Sequence, residues 1–160
     1  MPASVGSDAW EVAAVTMSRE SPEALERPRD HGGLEVLSYP ECLRLAGSQP
    51  VGRLAFAQAG GIEVFPVNHR MVDGKVVFRT SDGSKLGAAI QNAVVAFEVD
   101  AYDAERHQGW SVVIKGRAEE VVDESALALL ATSGVEPWSS RVSRPIWILV
   151  RPDEVSGRRL

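Results

Sequence analysis

The chain has 160 residues, enough for one domain or one domain with a tail, and its 44% apolar and 24% charged content is that of a globular protein. Seventeen basic residues against twenty-two acidic ones leave a formal charge of −5, which argues against a nucleic-acid partner. A single cysteine, Cys42, excludes an internal disulfide, and with only His31, His69 and His107 beside it there is no Cys/His zinc spacing.

Residues 1–34 read as a flexible or loosely docked leader, and residues 35–160 as the folded domain. Between Ser18 and Gly33, seven of sixteen residues are charged and two are proline. That leaves too little apolar surface to offset the entropy of ordering. Trp10, Val12 and Val15 could still tack part of the leader onto the core or onto a partner chain. The chain start lacks a basic segment followed by an apolar one, and no apolar run approaches the ~20 residues of a membrane span. A cytoplasmic protein without a membrane partner is expected.

Order begins near Leu37. Ser38-Tyr39-Pro40-Glu41 fits a capping box with proline in the first helical turn. Cys42, Leu45 and Ala46 then share one helical face, and Gly47 ends the helix. From residue 51 the pattern becomes β. Strands are expected at 51–58, 62–71 and 75–80, with Gly60-Gly61 and Asp73-Gly74 as turns. After Asp82-Gly83, a short helix carries Leu86, Ala89 and Ile90 on one face. The nearly continuous apolar run 93–99 is a strand covered on both sides, and 109–122 is another. Asp123 caps a helix whose Leu127, Leu130 and Ala131 face inward. A last strand spans 146–150, and the Arg-rich end beyond Pro152 has no assignment. The sum is a mainly β, α+β domain of six antiparallel strands with two or three short helices. Closure into a barrel removes the exposed edges of so many consecutive strands.

The informative stretch is Phe78-Arg79-Thr80-Ser81-Asp82-Gly83-Ser84-Lys85-Leu86. It ends a strand, turns on glycine and opens a helix, whose free N–H groups and dipole favour an anion. Arg79, Thr80, Ser84 and Lys85 would add a guanidinium fork, two hydroxyls and an ammonium around that point. The plain alternative is a capped helix with a solvated Lys and a surface Arg–Asp pair.

The order and spacing of VGRLAF (51–56), PVN (66–68), DGKVVFRTSDGSKL (73–86), AVVAFEVD (93–100), GWSVVIKGRAE (109–119) and VRPDEVSGRR (150–159) resemble the flavin-binding split β-barrel family related to pyridoxamine 5′-phosphate oxidase. The resemblance implies a split barrel that forms homodimers with FMN at the subunit interface. It implies that Arg79, Thr80, Ser84 and Lys85 grip the FMN phosphate. Val64, Phe65, Pro66 and Val67 match the strand that lies along the flavin ring, and Asn68 ends it. Trp110 and Ser111 fall where the family contacts the cofactor. Val64, His69 and Val113 stand where the oxidases place Arg, Lys and a further basic residue, and the C-terminal Arg/His segment of the substrate site has no match. These departures argue against a vitamin phosphate as substrate.

The expected activity is therefore FMN-dependent transfer of hydride or electrons to a small organic acceptor. Flavin does such chemistry itself, so the lack of a nucleophile–base constellation is consistent with it. A deazaflavin-dependent reductase on the same fold is the alternative cofactor reading. A non-catalytic flavin or haem carrier or sensor is the alternative from another class. His69 is the one candidate catalytic side chain, set against a partly exposed strand-end histidine. Cys42 reads as a buried, inert thiol. Trp138 and Trp147 read as core or interface fillers. Arg53 points either to a carboxylate across the sheet or to the cofactor phosphate. Asp100, Asp103, Glu105 and Arg106 read as a polar loop, and Arg158-Arg159 as a charged chain end or a phosphate contact.

Overall fold

The computed structural model describes residues 27–81, 86–87, 90–135 and 145–160. Trp10, Asp82, Gly83, Ser84, Lys85, Ala89 and Trp138 lie outside the described residues. In chain order the elements are β1 (Glu35–Val36), α1 (Tyr39–Ala46), β2 (Val51–Gln58), β3 (Gly61–Val72), β4 (Lys75–Ser81), β5 (Val94–Asp103), β6 (Gln108–Glu120), α2 (Glu124–Ala131) and β7 (Pro145–Arg159). The strands form one antiparallel sheet in the order β1-β7-β4-β3-β2-β5-β6, and β6 also pairs with β7. That second pairing closes six strands into the expected barrel, with β1 added at its rim.

Side-chain alternation decides what the barrel encloses. Leu54, Phe56, Val67, Val76, Phe78, Val95, Phe97, Val99, Val112, Ile114, Ile148 and Val150 are buried in one cluster. The apolar face of α1, made by Cys42, Leu45 and Ala46, joins the same cluster. Outside the barrel wall, α2 packs Leu130 against Val77 and Val121 in a second, smaller cluster. Asp123 caps α2 by accepting from the Ala126 N–H at 2.8 Å. Glu41 accepts from both the backbone N–H and the hydroxyl of Ser38, fixing the start of α1. Leu86 and Gly87 are helical, Leu86 packs against the core cluster and Ile90 is fully buried in it.

Three readings of the chain need correction. The last strand does not stop at Val150 but runs to Arg159. Proline in a ladder suggested an end at Pro152. A register shift between Lys115 and Gly116 accommodates it, after which β7 pairs with β6 on one side and β1 on the other. Gly116 is required there, because a Cβ would sit 1.9 Å from the Arg151 carbonyl oxygen. β1 itself has no signal in the sequence, being two residues held by Arg158 and Arg159. Asp100 and Asp103 belong to β5 rather than to a loop, and only the 104–107 turn connects it to β6.

Residues 27–34 fold back on β1 and the end of β7. The Val36 N–H donates to the Pro28 carbonyl at 2.7 Å, and Arg158 Nε donates to Asp30 at 2.7 Å. The Arg158 guanidinium beside Asp30 holds its carboxyl below the usual carboxylate range. Arg27 pairs with Glu35 and Glu41. Among the described residues no helix is long and apolar enough to cross a membrane.

Candidate functional site

The ladder between β3 and β4 begins at Val72↔Lys75 and stops at His69↔Phe78. Both strands continue past that point. From Asn68 back to Gly61, β3 pairs with β2, while Arg79, Thr80 and Ser81 of β4 pair with β7. The barrel wall therefore opens between the start of β3 and the end of β4. This opening is the split.

Alternation sorts the predicted residues around it. Val76 and Phe78 face the core and Val77 faces α2, so Arg79 lies on the outer surface and Thr80 on the inner one. On β3, Phe65, Val67 and His69 point inward. Phe65 stacks on Phe56 with ring centroids 5.9 Å apart. Val64 and Pro66 are exposed and share the outer face with Asn68 and Ile62. Val64, Pro66, Asn68 and Arg79 thus all face outward, on the two strands that part at the split.

Arg79 stands directly across the ladder from Trp147, and its guanidinium carbon lies 5.0 Å from the centre of the indole ring. Its Nε is buried and has no hydrogen-bond partner among the described residues. A buried donor without a partner costs about 1–3 kcal/mol, so such an atom in a native site asks for a ligand. Arg53, Arg158 and Arg159, elsewhere on the sheet, are each paired with carboxylates. Arg53 donates to Glu98 and Asp100, both at 2.9 Å, which settles its direction toward carboxylates across the sheet. Arg159 meets Glu35 at 3.1 Å and Arg158 meets Asp30. Among the described residues Arg79 meets no carboxylate, whereas Arg53, Arg158 and Arg159 are neutralised. Trp147 is the site residue that sequence reasoning missed. Its signal was its phase, one residue out of step with the inward Ile148 and Val150.

Trp110 and Ser111 lie elsewhere. Trp110 lines a cavity of about 430 Å³ at the far end of the β5–β6 hairpin, with Tyr102, Gln108 and Arg159. Ser111 and Arg158 line an adjoining one of about 170 Å³. In the β7 ladder, Arg79 is opposite Trp147 and Ser111 is opposite Arg158, eleven residues further on. At about 3.3 Å per strand residue that is a path of roughly 35 Å. Within one chain the two predicted groups are thus separated by eleven residues of β7, with a bulge between them.

His69 is not at a partly exposed strand end. It is 1% exposed, and its ring meets the Phe97 ring edge-on at 4.7 Å between centroids. Nε2 lies 2.8 Å from the Ala46 carbonyl oxygen, which can only accept, so Nε2 carries the proton and ties α1 to the barrel. Nδ1 is buried without a partner. The geometry gives His69 a core-fastening role with no path to a ligand on the outer lip.

Burial holds the His69 pKa below its ordinary value of 6.5, outweighing the Ala46 hydrogen bond. The unfolded chain then binds this proton more readily than the folded one. Stability from His69 is complete above about pH 6.5 and falls as pH drops below it, by up to about 1.4 kcal/mol per pH unit. Urea midpoints measured from pH 7.5 to 5 should decline, and His69→Gln should flatten that decline. An unchanged slope in the variant removes His69 as its source. The Cys42 thiol is buried and pushed up in pKa, chiefly by that burial and then by Glu41, which fits an inert packing role.

The comparisons can be set on this geometry. The family model for pyridoxamine 5′-phosphate oxidase matches residues 38–159. An uncharacterized protein of Mycobacterium tuberculosis, Rv0080, is 35% identical over 129 residues, covering 78% of this chain and 84% of the relative. A solved FAD binding protein from Mycobacterium smegmatis is 37% identical with a TM-score of 0.70, covering 78% of this chain and 98% of that one. A FAD-binding protein from Mesorhizobium loti is 26% identical with a TM-score of 0.63, covering 79% of this chain and 98% of that one. With a family model spanning the whole barrel, from the start of α1 to the last residue of β7, this chain belongs to the pyridoxamine 5′-phosphate oxidase family.

Proposed function

We propose that the chain binds a flavin at the split and works as an FMN-dependent oxidoreductase on a small organic acceptor. The observation that carries this reading is the buried Nε of Arg79, which has no partner among the described residues, at the point where the β3–β4 ladder ends. Arg79 would hold the cofactor phosphate, joined by Thr80 and, from the sequence, by Ser84 and Lys85. The open edge of β3 from Val64 to Asn68 would run beside the ring, and its backbone groups would orient it. Bound flavin supplies the hydride or electron transfer, and the protein supplies binding, orientation and exclusion of water. FAD has the same ring and first phosphate as FMN, and the names of the two solved relatives favour testing it alongside.

The site is completed by a second copy. Ile62 and Val64 are 77% and 56% exposed on the lip of the split, an apolar strip of the kind a partner covers. A two-fold arrangement would bring Trp110, Ser111 and Arg158 of one copy toward Arg79 of the other. Gel filtration with light scattering should give a dimer, and titration with FMN or FAD should reach one flavin per chain. Ile62→Asp should yield a monomer that loses most flavin affinity. A monomeric wild-type protein, or an Ile62→Asp monomer with full affinity, rejects the shared site. Retention of neither flavin, with tight binding of a deazaflavin instead, rejects the cofactor.

A further inference from the structure

We infer that Trp147 is a positioning residue for Arg79, setting the guanidinium plane so that its donors meet the phosphate of the bound cofactor. The inference rests on the flavin reading above and adds a residue that neither the motif nor the family frame marks.

A guanidinium carries all five N–H donors in its plane and none on its faces. Resting over an indole face therefore restrains the guanidinium without engaging an acceptor. A carboxylate partner would also fix it, but would occupy the fork and cancel the charge, as at Arg53 with Glu98 and Asp100. At Arg79 the contact comes from an aromatic face, at 5.0 Å, and Nε has no partner among the described residues. A cation restrained in this way keeps its full hydrogen-bonding capacity for an anion.

Trp147 is itself held from three directions. Its backbone carbonyl accepts from the Val121 N–H at 2.9 Å. Its side chain packs on the Val77, Val121 and Leu130 cluster beneath α2. Its strand neighbours Ile146 and Ile148 point the opposite way, into the barrel core. The ring is thus a fixed platform, and Arg79 is the movable group laid on it. Ordering a free arginine at the moment of binding costs up to about 2 kcal/mol of side-chain entropy, which a prearranged one has already lost.

The test compares FMN with riboflavin, which has the same ring and lacks the phosphate. Trp147→Leu should raise the Kd for FMN roughly five- to tenfold and leave that for riboflavin unchanged. Trp147→Phe, a weaker aromatic platform, should raise the FMN value about two- to threefold. Leu149→Ala loosens the same cluster without touching Arg79, and should leave the FMN-to-riboflavin ratio as in wild type. Equal effects of Trp147→Leu on both ligands, or none on FMN, overturn the inference. Should that variant fail to fold, Trp147→Phe decides, and an unchanged FMN affinity overturns it. A wild-type protein that binds FMN and riboflavin equally tightly rejects the phosphate site itself, and the role of Trp147 falls with it.

Discussion

Arg79→Ala should weaken FMN binding by about 10- to 100-fold, from the loss of charge-assisted hydrogen bonds worth roughly 1.5–3 kcal/mol. Two comparisons sharpen the result. Arg79→Lys keeps the charge but loses the planar fork and the stack on Trp147, so it should recover only part of the affinity. Riboflavin, which carries no phosphate, should bind the wild type and Arg79→Ala alike. The unliganded protein should lose little stability in Arg79→Ala, at most about 0.5–1 kcal/mol for the contact with Trp147, because the substitution also removes a buried donor with no partner among the described residues. A site for function thus differs from a site for stability in a measurable way. Isothermal titration for the ligand and urea unfolding for the apo protein give both halves. Unchanged FMN affinity in Arg79→Ala would falsify the assignment of the phosphate to this strand end.

Phe97→Ala should cost about 3–5 kcal/mol, enough to remove much of the stability of an ordinary domain. Phe97 is fully buried in the barrel and is the ring against which His69 packs. The neighbouring strand is shaped for it. A Cβ on Gly52 would come within 2.1 Å of Phe97 Cζ and 2.9 Å of the Glu98 carbonyl oxygen. The ring occupies the volume that a side chain at position 52 would need, so the glycine and the phenylalanine form one packing unit. Deleting the ring leaves a cavity bounded by strands that the closed ladder prevents from collapsing. Phe97→Leu should lose much less, since it fills most of that space. Urea unfolding at neutral pH measures both, and a loss below about 1 kcal/mol for Phe97→Ala rules out this description of the core.

The two sets of expectations draw on different parts of the chain. The core of the barrel was legible because period-2 alternation and turn chemistry are local. The boundaries of β2 agree with the sequence pattern, and those of β3 and β4 differ by a single residue at the ends that moved. The cap on α1 and the Asp123 cap on α2 were equally local, and both are present. The anion character of Arg79 could be named from its place at the end of a strand. The second half of β7 could not, because its stability comes from two partners distant in sequence and from a bulge that accommodates Pro152. β1 has no pattern of its own at two residues, and exists only as an addition to that strand.

What the sequence determined by itself is the class of the protein: the β-rich barrel, its capped helices, the inward phase of each strand and the strand end that bears an arginine. Tertiary structure decided the rest, because which residues meet across a ladder depends on register rather than on neighbours in the chain. Register put Trp147 opposite Arg79, and it ended the β3–β4 pairing at His69 and Phe78. Depth turned His69 from a candidate acid–base group into a fastener of α1, since a side chain's access to ligand is a property of what covers it. The separation of Arg79 from Trp110 and Ser111 was likewise invisible in the order of motifs. It follows from eleven extended residues of β7, whose length is set only when the barrel closes.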